Sequence, residues 1–277
     1  MGARKKLADL IQRQRWLKMV PNTLTLCNSI CGFIAIVYML QVYDETTSRM
    51  LAVFATSSWI VVCAMIFDVL DGFAARIFHA ASLHGMQMDS LSDMVTFGVA
   101  PATICAIMTH VLRDTNGVPN VVTYLLCAIY LGCAALRLAT YNVHALSEQK
   151  GSDRFSGLPS PGAAAGVCSM AMLLNWFSVN YGDGFAFHRL AVYIPWYAAA
   201  LGLLMVSTIS YPHAGKWFFT VHRSKRRLLL VVLALSAVIV FHTPALFVMV
   251  NLYIFIGPVA ALIRLIGRRG RGAECAA

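Results

Sequence analysis

Charge is scarce in this sequence. Only 12% of its 277 residues are Asp, Glu, Lys or Arg, against roughly 25% in a soluble domain. Hydrophobic residues make up 59%, and mean hydropathy is +0.69. A wholly water-soluble chain is thereby excluded, and an integral membrane protein is expected. Acids are scarcer than bases, with twelve Asp and Glu against 22 Lys and Arg, for a formal net charge of +10. No acid lies in any apolar run after residue 120. That argues against a divalent-cation transporter, whose acids sit at mid-membrane in several helices. No basic patch is interleaved with aromatics, so the positive balance points to anionic lipid and not to nucleic acid. No Cys-x-x-Cys occurs. The eight cysteines (27, 31, 63, 105, 127, 133, 168 and 275) fall nearly all inside apolar runs, where they read as small hydrophobes. No internal repeat and no metal-binding His spacing is present. The opening residues do not have the form of a cleavable leader.

What the chain does have is apolar length. Residues 3–18 space Leu7, Leu10, Ile11 and Leu17 at near-helical intervals among Lys and Arg. This predicts an amphipathic helix lying on an anionic membrane surface, ended by Pro21-Asn22. Apolar runs follow near 23–43, 51–78, 91–112, 120–140, 161–180, 189–210, 227–242 and 244–266, each compared with the ~20 residues of a spanning helix. The expected fold is an all-α bundle of about eight transmembrane helices, in which the short seventh, turning at His242-Thr-Pro244, is tilted or re-entrant. Three parts are expected: the interfacial helix 1–20, a membrane domain 21–210 of about six spans, and 211–277 with a basic loop, two spans and a basic tail. Placing both termini in the cytoplasm leaves only Arg49, Arg113 and Arg189 outside. The reverse exports Arg223, Lys225, Arg226, Arg227 and the tail. The positive-inside rule selects the first, so a multi-pass protein of the cell (inner) membrane is expected.

Four of the twelve acids converge at the cytoplasmic edge, in Asp68-Val-Leu-Asp71-Gly72-Phe-Ala-Ala75-Arg76 and Gly85-Met-Gln-Met-Asp89-Ser-Leu-Ser-Asp93. Asp68 and Asp71 are three apart, Asp89 and Asp93 four apart, so each pair shares a helix face. Gly85 is expected in the connecting turn, where it lets the chain reverse. Acids this close to hydrocarbon are costly unless paired, wet or metal-bound, and together they repel. One or two divalent cations resolve both problems, and an all-oxygen ligand set suits Mg²⁺, Mn²⁺ or Ca²⁺ over zinc. The small neighbours Gly72 and Ala75 leave room for a flat base and a diphosphate. A carboxylate left partly free can take a proton from an attacking hydroxyl, and Asp93 is assigned that role. The alternative is a set of helix caps or a structural ion pair with Arg76.

The pattern Asp68-x2-Asp71-Gly72-x2-Ala75-Arg76-x8-Gly85-x3-Asp89-x3-Asp93 matches, at every fixed position, the signature of the CDP-alcohol phosphotransferase family, which the chain therefore resembles. The resemblance implies metal-dependent exchange of CMP for an alcohol on a CDP-linked lipid, with Mg²⁺ or Mn²⁺, two ions, as cofactor. It implies Asp68, Asp71 and Asp89 as metal ligands and Asp93 as a metal-proximal general base. Gly72, Ala75 and Arg76, with Gly85 beside them, would lie against the CDP moiety. Further stretches are similar to the phosphatidylserine synthase subfamily: Pro21-Asn22-Thr-Leu-Thr25-Leu-Cys-Asn28, Ser90-Leu-Ser-Asp93-Met-Val-Thr-Phe97-Gly98-Val-Ala-Pro101, Ala135-Leu-Arg137, and Phe155-Ser-Gly157-Leu-Pro159-Ser-Pro161. This implies CDP-diacylglycerol and L-serine as substrates, membrane lipid around them, and a homodimer. Glycerol 3-phosphate, inositol phosphate or choline are the alternative acceptors. The likeness spans about 20–210 and leaves the last two spans without a function.

The individual residues keep two readings each. Asn22 and Thr25 hydrogen-bond a base or ribose, or cap the helix after Pro21. Arg137 meets a lipid phosphate or a motif Asp, or snorkels. Phe155, Gly157 and Pro159 shape a loop over a small polar substrate, or merely lead into a helix. Gly162-x3-Gly166 reads as close helix packing. His79 and His84 flank the hairpin and carry no metal spacing.

Overall fold

Apolar runs of this length leave the backbone no water to bond, so they close their own hydrogen bonds as helices. The computed structural model describes residues 2–44, 47–78, 82–112, 119–146, 157–182, 186–209, 211 and 243–263, and among them every regular element is helical. In chain order these are α1 (Gly2–Tyr38), α2 (Thr47–Ile77), α3 (Leu83–Leu112), α4 (Asn120–Leu146), α5 (Ser160–Tyr181), α6 (Ala186–Val206) and α7 (Thr243–Ile263). A 3₁₀ segment, Met39–Asp44, extends α1. Among the described residues six helices are long and apolar enough to cross a membrane, and α6, apolar over Leu190–Val206, falls just short. The chain is an all-α membrane protein. Seven of the eight expected runs appear as helices; the run 227–242 lies outside the described residues, as do Phe155 and His79.

Two local expectations are corrected. Pro21-Asn22 does not end a helix, because α1 is continuous through Pro21. Pro21 deletes only one intrahelical bond, and the lipid-facing segment that follows has no other way to satisfy its backbone. Gly85 is not in the turn. Ser82, extended at φ −141°, accepts the Gly85 N–H at 3.0 Å and starts α3 two residues earlier, as an N-cap serine does.

α3 is the central strut. It touches α1, α2, α4, α5 and α6, and Phe97, Ile104, Cys105 and Met108 along it are fully buried. α1 and α5 both pack on α2, and α4 packs on α6. The outer faces stay apolar: Leu26, Ile30, Phe33 and Val37 on α1, and Leu252, Phe255, Ile256 and Val259 on α7, are exposed. Contiguous apolar faces of that size suit lipid and not water.

Small residues let the helices approach. A Cβ on Gly32 of α1 would stand 2.8 Å from Thr96 Cα of α3. Gly32→Ala is therefore expected to force α1 off α3 and cost about 1–3 kcal/mol; an unchanged melting temperature of the detergent-solubilised protein would refute that contact. Gly162 meets Tyr253 and Gly166 meets Leu201, Ile254 and Tyr197, so this small-residue pair serves packing, as read from its spacing.

Beyond Pro21, three more prolines inside the described helices, Pro101, Pro195 and Pro258, each strip an N–H and so free the carbonyl four residues back. In each case a hydroxyl from elsewhere fills the gap. Pro101 frees Phe97 O, which accepts from Tyr130 Oη at 2.8 Å. Pro195 frees Ala191 O, which accepts from Thr109 Oγ1 at 3.3 Å. Pro258 frees Ile254 O, which accepts from Tyr211 Oη at 3.0 Å. Just before Pro101 the helix widens into a π-helical turn, Met94–Val99, a distortion that recurs at functional sites. It follows directly on Asp93.

Candidate active site

The site is built by three helices, not two. Asp68 and Asp71 project from one face of α2. The cap at Ser82 sets the register of α3, so that Asp89 and Asp93 come one turn apart on its face. One carboxylate oxygen from each of Asp68, Asp71 and Asp89 lies within 4.8 Å of the others. Oxygens that close can all reach a single hard cation at about 2.0–2.6 Å. Asp93 stands outside that triplet, a turn deeper, and is 9% exposed.

α1 stitches these acids in place. Thr25 Oγ1 donates to Asp71 Oδ2 at 2.8 Å, and Asn28 Nδ2 donates to Asp93 Oδ1 at 3.3 Å. In return Ser92 Oγ donates to Thr25 O at 2.8 Å and Thr96 Oγ1 to Asn28 O at 3.0 Å. Thr25 thus serves a carboxylate. Asn22 Oδ1 lies 3.4 Å from the Cβ position of Gly85, facing the first turn of α3. Asn28 and Ser92 were not singled out from the sequence as site residues. The three-residue spacing of Asn22, Thr25 and Asn28 does mark one polar face on α1, and that signal was available.

The residues fit a cation. The donor set is carboxylate oxygen throughout, and Asp89 Oδ1 is buried with no hydrogen-bond partner. A buried acceptor without a donor is costly, and three clustered carboxylates are mutually repulsive without positive charge among them. Asp68, Asp71 and Asp89 could hold such an ion. Beside them Gly72 opens on space: a Cβ there would meet only Arg76 Nη2, at 3.9 Å. Arg76 folds back on its own helix, with Nε donating to Gly72 O at 2.9 Å. Ala75 is half-buried on the same turn. The open side of Gly72 next to a guanidinium is a place for phosphate oxygens.

Two further features flank the acids. Arg137 of α4 donates from Nη1 to Ser160 Oγ at 2.8 Å, lies within Coulombic range of Asp93, and keeps its buried Nε without a partner. Ser90 Oγ donates to Asn142 Oδ1 at 2.9 Å and ties α3 to α4. Residues 157–159, just before α5, are tied to the end of α6 and the residues after it. Gly157 has φ +93°, a conformation glycine accepts readily. Its N–H donates to Ile209 O at 2.8 Å, and Leu158 N–H donates to Leu204 O at 3.0 Å. Pro159 leads into the first turn of α5 at φ −58°. His84 is exposed. Between α1 and α3 runs a mostly apolar groove of about 310 Å³ that includes Thr25, Leu26, Ser29, Met88, Leu91 and Ser92. It starts beside the acids, and no periodicity in the sequence announces it.

The family model for CDP-alcohol phosphatidyltransferase matches residues 18–204, which run from within α1 into α6 and take in all four acids described above. The chain belongs to this family. Among relatives of this CDP-alcohol phosphatidyltransferase is the CDP-diacylglycerol–serine O-phosphatidyltransferase of Helicobacter pylori strain 26695, 30% identical over 250 residues, which cover 90% of this chain and 94% of the relative. The Bacillus subtilis protein of the same name is 30% identical over 200 residues, 72% of this chain and 93% of its own length. An archaetidylserine synthase of Methanothermobacter thermautotrophicus is 30% identical over 195 residues, 70% of this chain and 69% of that one. No solved structure matches.

Proposed function

We propose that this transferase moves the phosphatidyl group of CDP-diacylglycerol to the hydroxyl of L-serine, giving phosphatidylserine and CMP. The observation that carries the reading is the division among the four acids: three oxygens gathered within 4.8 Å, and a fourth carboxylate with its own amide partner at 3.3 Å. The names of the relatives support serine as the acceptor.

In this reading Asp68, Asp71 and Asp89, with Asp93 at the margin, hold Mg²⁺ or Mn²⁺, two ions in all. Such ions, when bound, neutralise the charge that builds on the pyrophosphate as CMP departs. Thr25 fixes Asp71 so that its oxygens stay aimed at the cluster. Asn28 engages one oxygen of Asp93, leaving the other for the serine proton. The serine oxygen forms a bond to the phosphorus that carries diacylglycerol, and the bond from that phosphorus to the oxygen bridging to CMP breaks. CMP leaves with the bonding electrons, and Asp93 takes the proton. Gly72, Ala75 and Arg76 lie against the cytidine diphosphate, with Asn22 and Gly85 at its edge. Arg137 faces an anionic group of the acceptor or of the lipid, beneath the stretch that holds Gly157 and Pro159. The α1–α3 groove is where an acyl chain enters from the bilayer. Both termini and the site face the cytoplasm at the inner membrane, and the protein works as a homodimer.

The test is an acceptor panel. Purified protein with CDP-diacylglycerol and Mn²⁺ is expected to release CMP with serine at least about a hundredfold faster than with glycerol 3-phosphate, inositol phosphate or choline. Release with glycerol 3-phosphate and none with serine would transfer the chain to a sister activity.

A further inference from the structure

The matched family segment ends at residue 204, so α7 lies beyond it, yet α7 is docked against the site's own scaffold. Tyr197 Oη on α6 donates to Asn251 Oδ1 at 2.8 Å, and Tyr211 Oη donates to Ile254 O at 3.0 Å. Between those two contacts sits Tyr253. Its ring lies on Gly162 in the first turn of α5, with Cε1 3.3 Å from the Cβ position, and at 47° to the Tyr211 ring with centroids 6.0 Å apart. Two residues earlier in that same turn, Ser160 holds Arg137.

The hydroxyl of Tyr253 is shut from solvent and has no hydrogen-bond partner. Those of Tyr130, Tyr197 and Tyr211 all have one, so Tyr253 stands apart from these three tyrosines. Arg137 Nε is a second buried orphan donor, and the two residues lie within Coulombic range of each other, with Asp93 and Tyr141 also in range of Arg137. The start of α5 adds the positive end of a 22-residue helix, which favours anions. The first turn of α5 thus carries both neighbours, Tyr253 on Gly162 and Arg137 on Ser160, on the side of the site where Asp93 stands. Buried donors are normally satisfied, and an oxyanion is a group that two such donors suit.

We propose that Tyr253 donates its hydroxyl, together with Arg137, to a carboxylate or phosphate oxyanion of a bound substrate, so that α7 supplies a specificity residue to the site. This rests on the reading that acceptor and lipid meet beside Asp93. The oxyanion is the carboxylate of the acceptor amino acid or the phosphate of the lipid donor.

Tyr253→Phe in the full-length purified protein removes the hydroxyl and keeps the ring on Gly162. Losing a hydrogen bond to a charged group is expected to raise one KM about tenfold to a hundredfold. The melting temperature and the Mn²⁺ requirement are expected to hold, and kcat to stay within about twofold. A rise in the KM for serine, with the preference for serine over ethanolamine shrinking by the same factor, assigns the carboxylate, because ethanolamine is serine without it. A rise in the KM for CDP-diacylglycerol alone assigns the lipid phosphate. Unchanged KM values for both substrates overturn the proposal. So does an equal loss with serine and ethanolamine accompanied by a lowered melting temperature, which marks a packing residue. If the wild type releases CMP only with another acceptor, the serine reading falls, and the same KM comparison with that acceptor still decides Tyr253.

Discussion

Asp93→Asn is expected to cut serine-dependent CMP release by about 10³-fold or more, while Mn²⁺-supported binding of CDP-diacylglycerol stays within a few-fold. The substitution changes one atom and no volume. The side chain is almost buried, at 9% exposure, and an asparagine there can still accept from Asn28 Nδ2, so α1 and α3 keep their tie. What goes is the capacity to take a proton from the attacking hydroxyl. General bases typically contribute 10²–10⁴-fold, and this one has no neighbouring base of the right kind to replace it: Asp68, Asp71 and Asp89 are engaged as a cluster a turn away. The measurement is CMP release under saturating serine, set beside equilibrium binding of the CDP-lipid. Turnover at the wild-type rate would remove Asp93 from the chemistry, and loss of lipid binding in step with activity would make it a ligand-holding residue instead.

The second large effect belongs to the triplet. Asp89→Asn is expected to raise the Mn²⁺ concentration for half-maximal activity about a hundredfold and to lower CMP release about 10³-fold at ordinary Mn²⁺. Chelation of the wild type should abolish activity, and Mn²⁺ or Mg²⁺ should restore it. A readout independent of turnover is available. Ligand that binds only the folded state stabilises it by about 2.7 kcal/mol at a hundred times its Kd, so Mn²⁺ should raise the melting temperature of the wild type and fail to do so at the same concentration in the variant. Asp89 is the member to change because its Oδ1 is buried without a donor, whereas Asp71 has Thr25. An Mn²⁺-induced shift as large in Asp89→Asn as in the wild type would mean that the cluster is not where the ion sits.

The spans and the acids were legible because both are properties of a single helix. Twenty apolar residues mark a span whatever packs on it, and Asp68 with Asp71, or Asp89 with Asp93, share a face by spacing alone. What one helix does to another was not legible. Thr25 and Asn28 carry a polar stripe that periodicity reveals, but nothing in their spacing says that α2 takes one and α3 the other. Ser82 conceals the start of α3, because the N–H it caps belongs to Gly85, a residue that equally suits a turn. The π-helical turn after Asp93 leaves no local signature beyond Pro101, whose missing N–H is answered by Tyr130 from α4. Tyr253 sits in a segment that the signature never reaches, and only its position over Gly162 ties it to Arg137.

The proline gaps have a consequence for assembly. A helix entering the bilayer alone carries the freed carbonyls of Phe97, Ala191 or Ile254 into hydrocarbon with nothing to meet them. Relief comes only when Tyr130, Thr109 or Tyr211 arrives from another part of the chain. Part of what drives these helices to associate is therefore a debt that each brings from its own insertion, and it is settled only in the correct neighbourhood. Lipid can solvate a bare leucine face in any arrangement, but it cannot answer a carbonyl, so these three sites favour one assembled order over the many that greasy surfaces alone would permit.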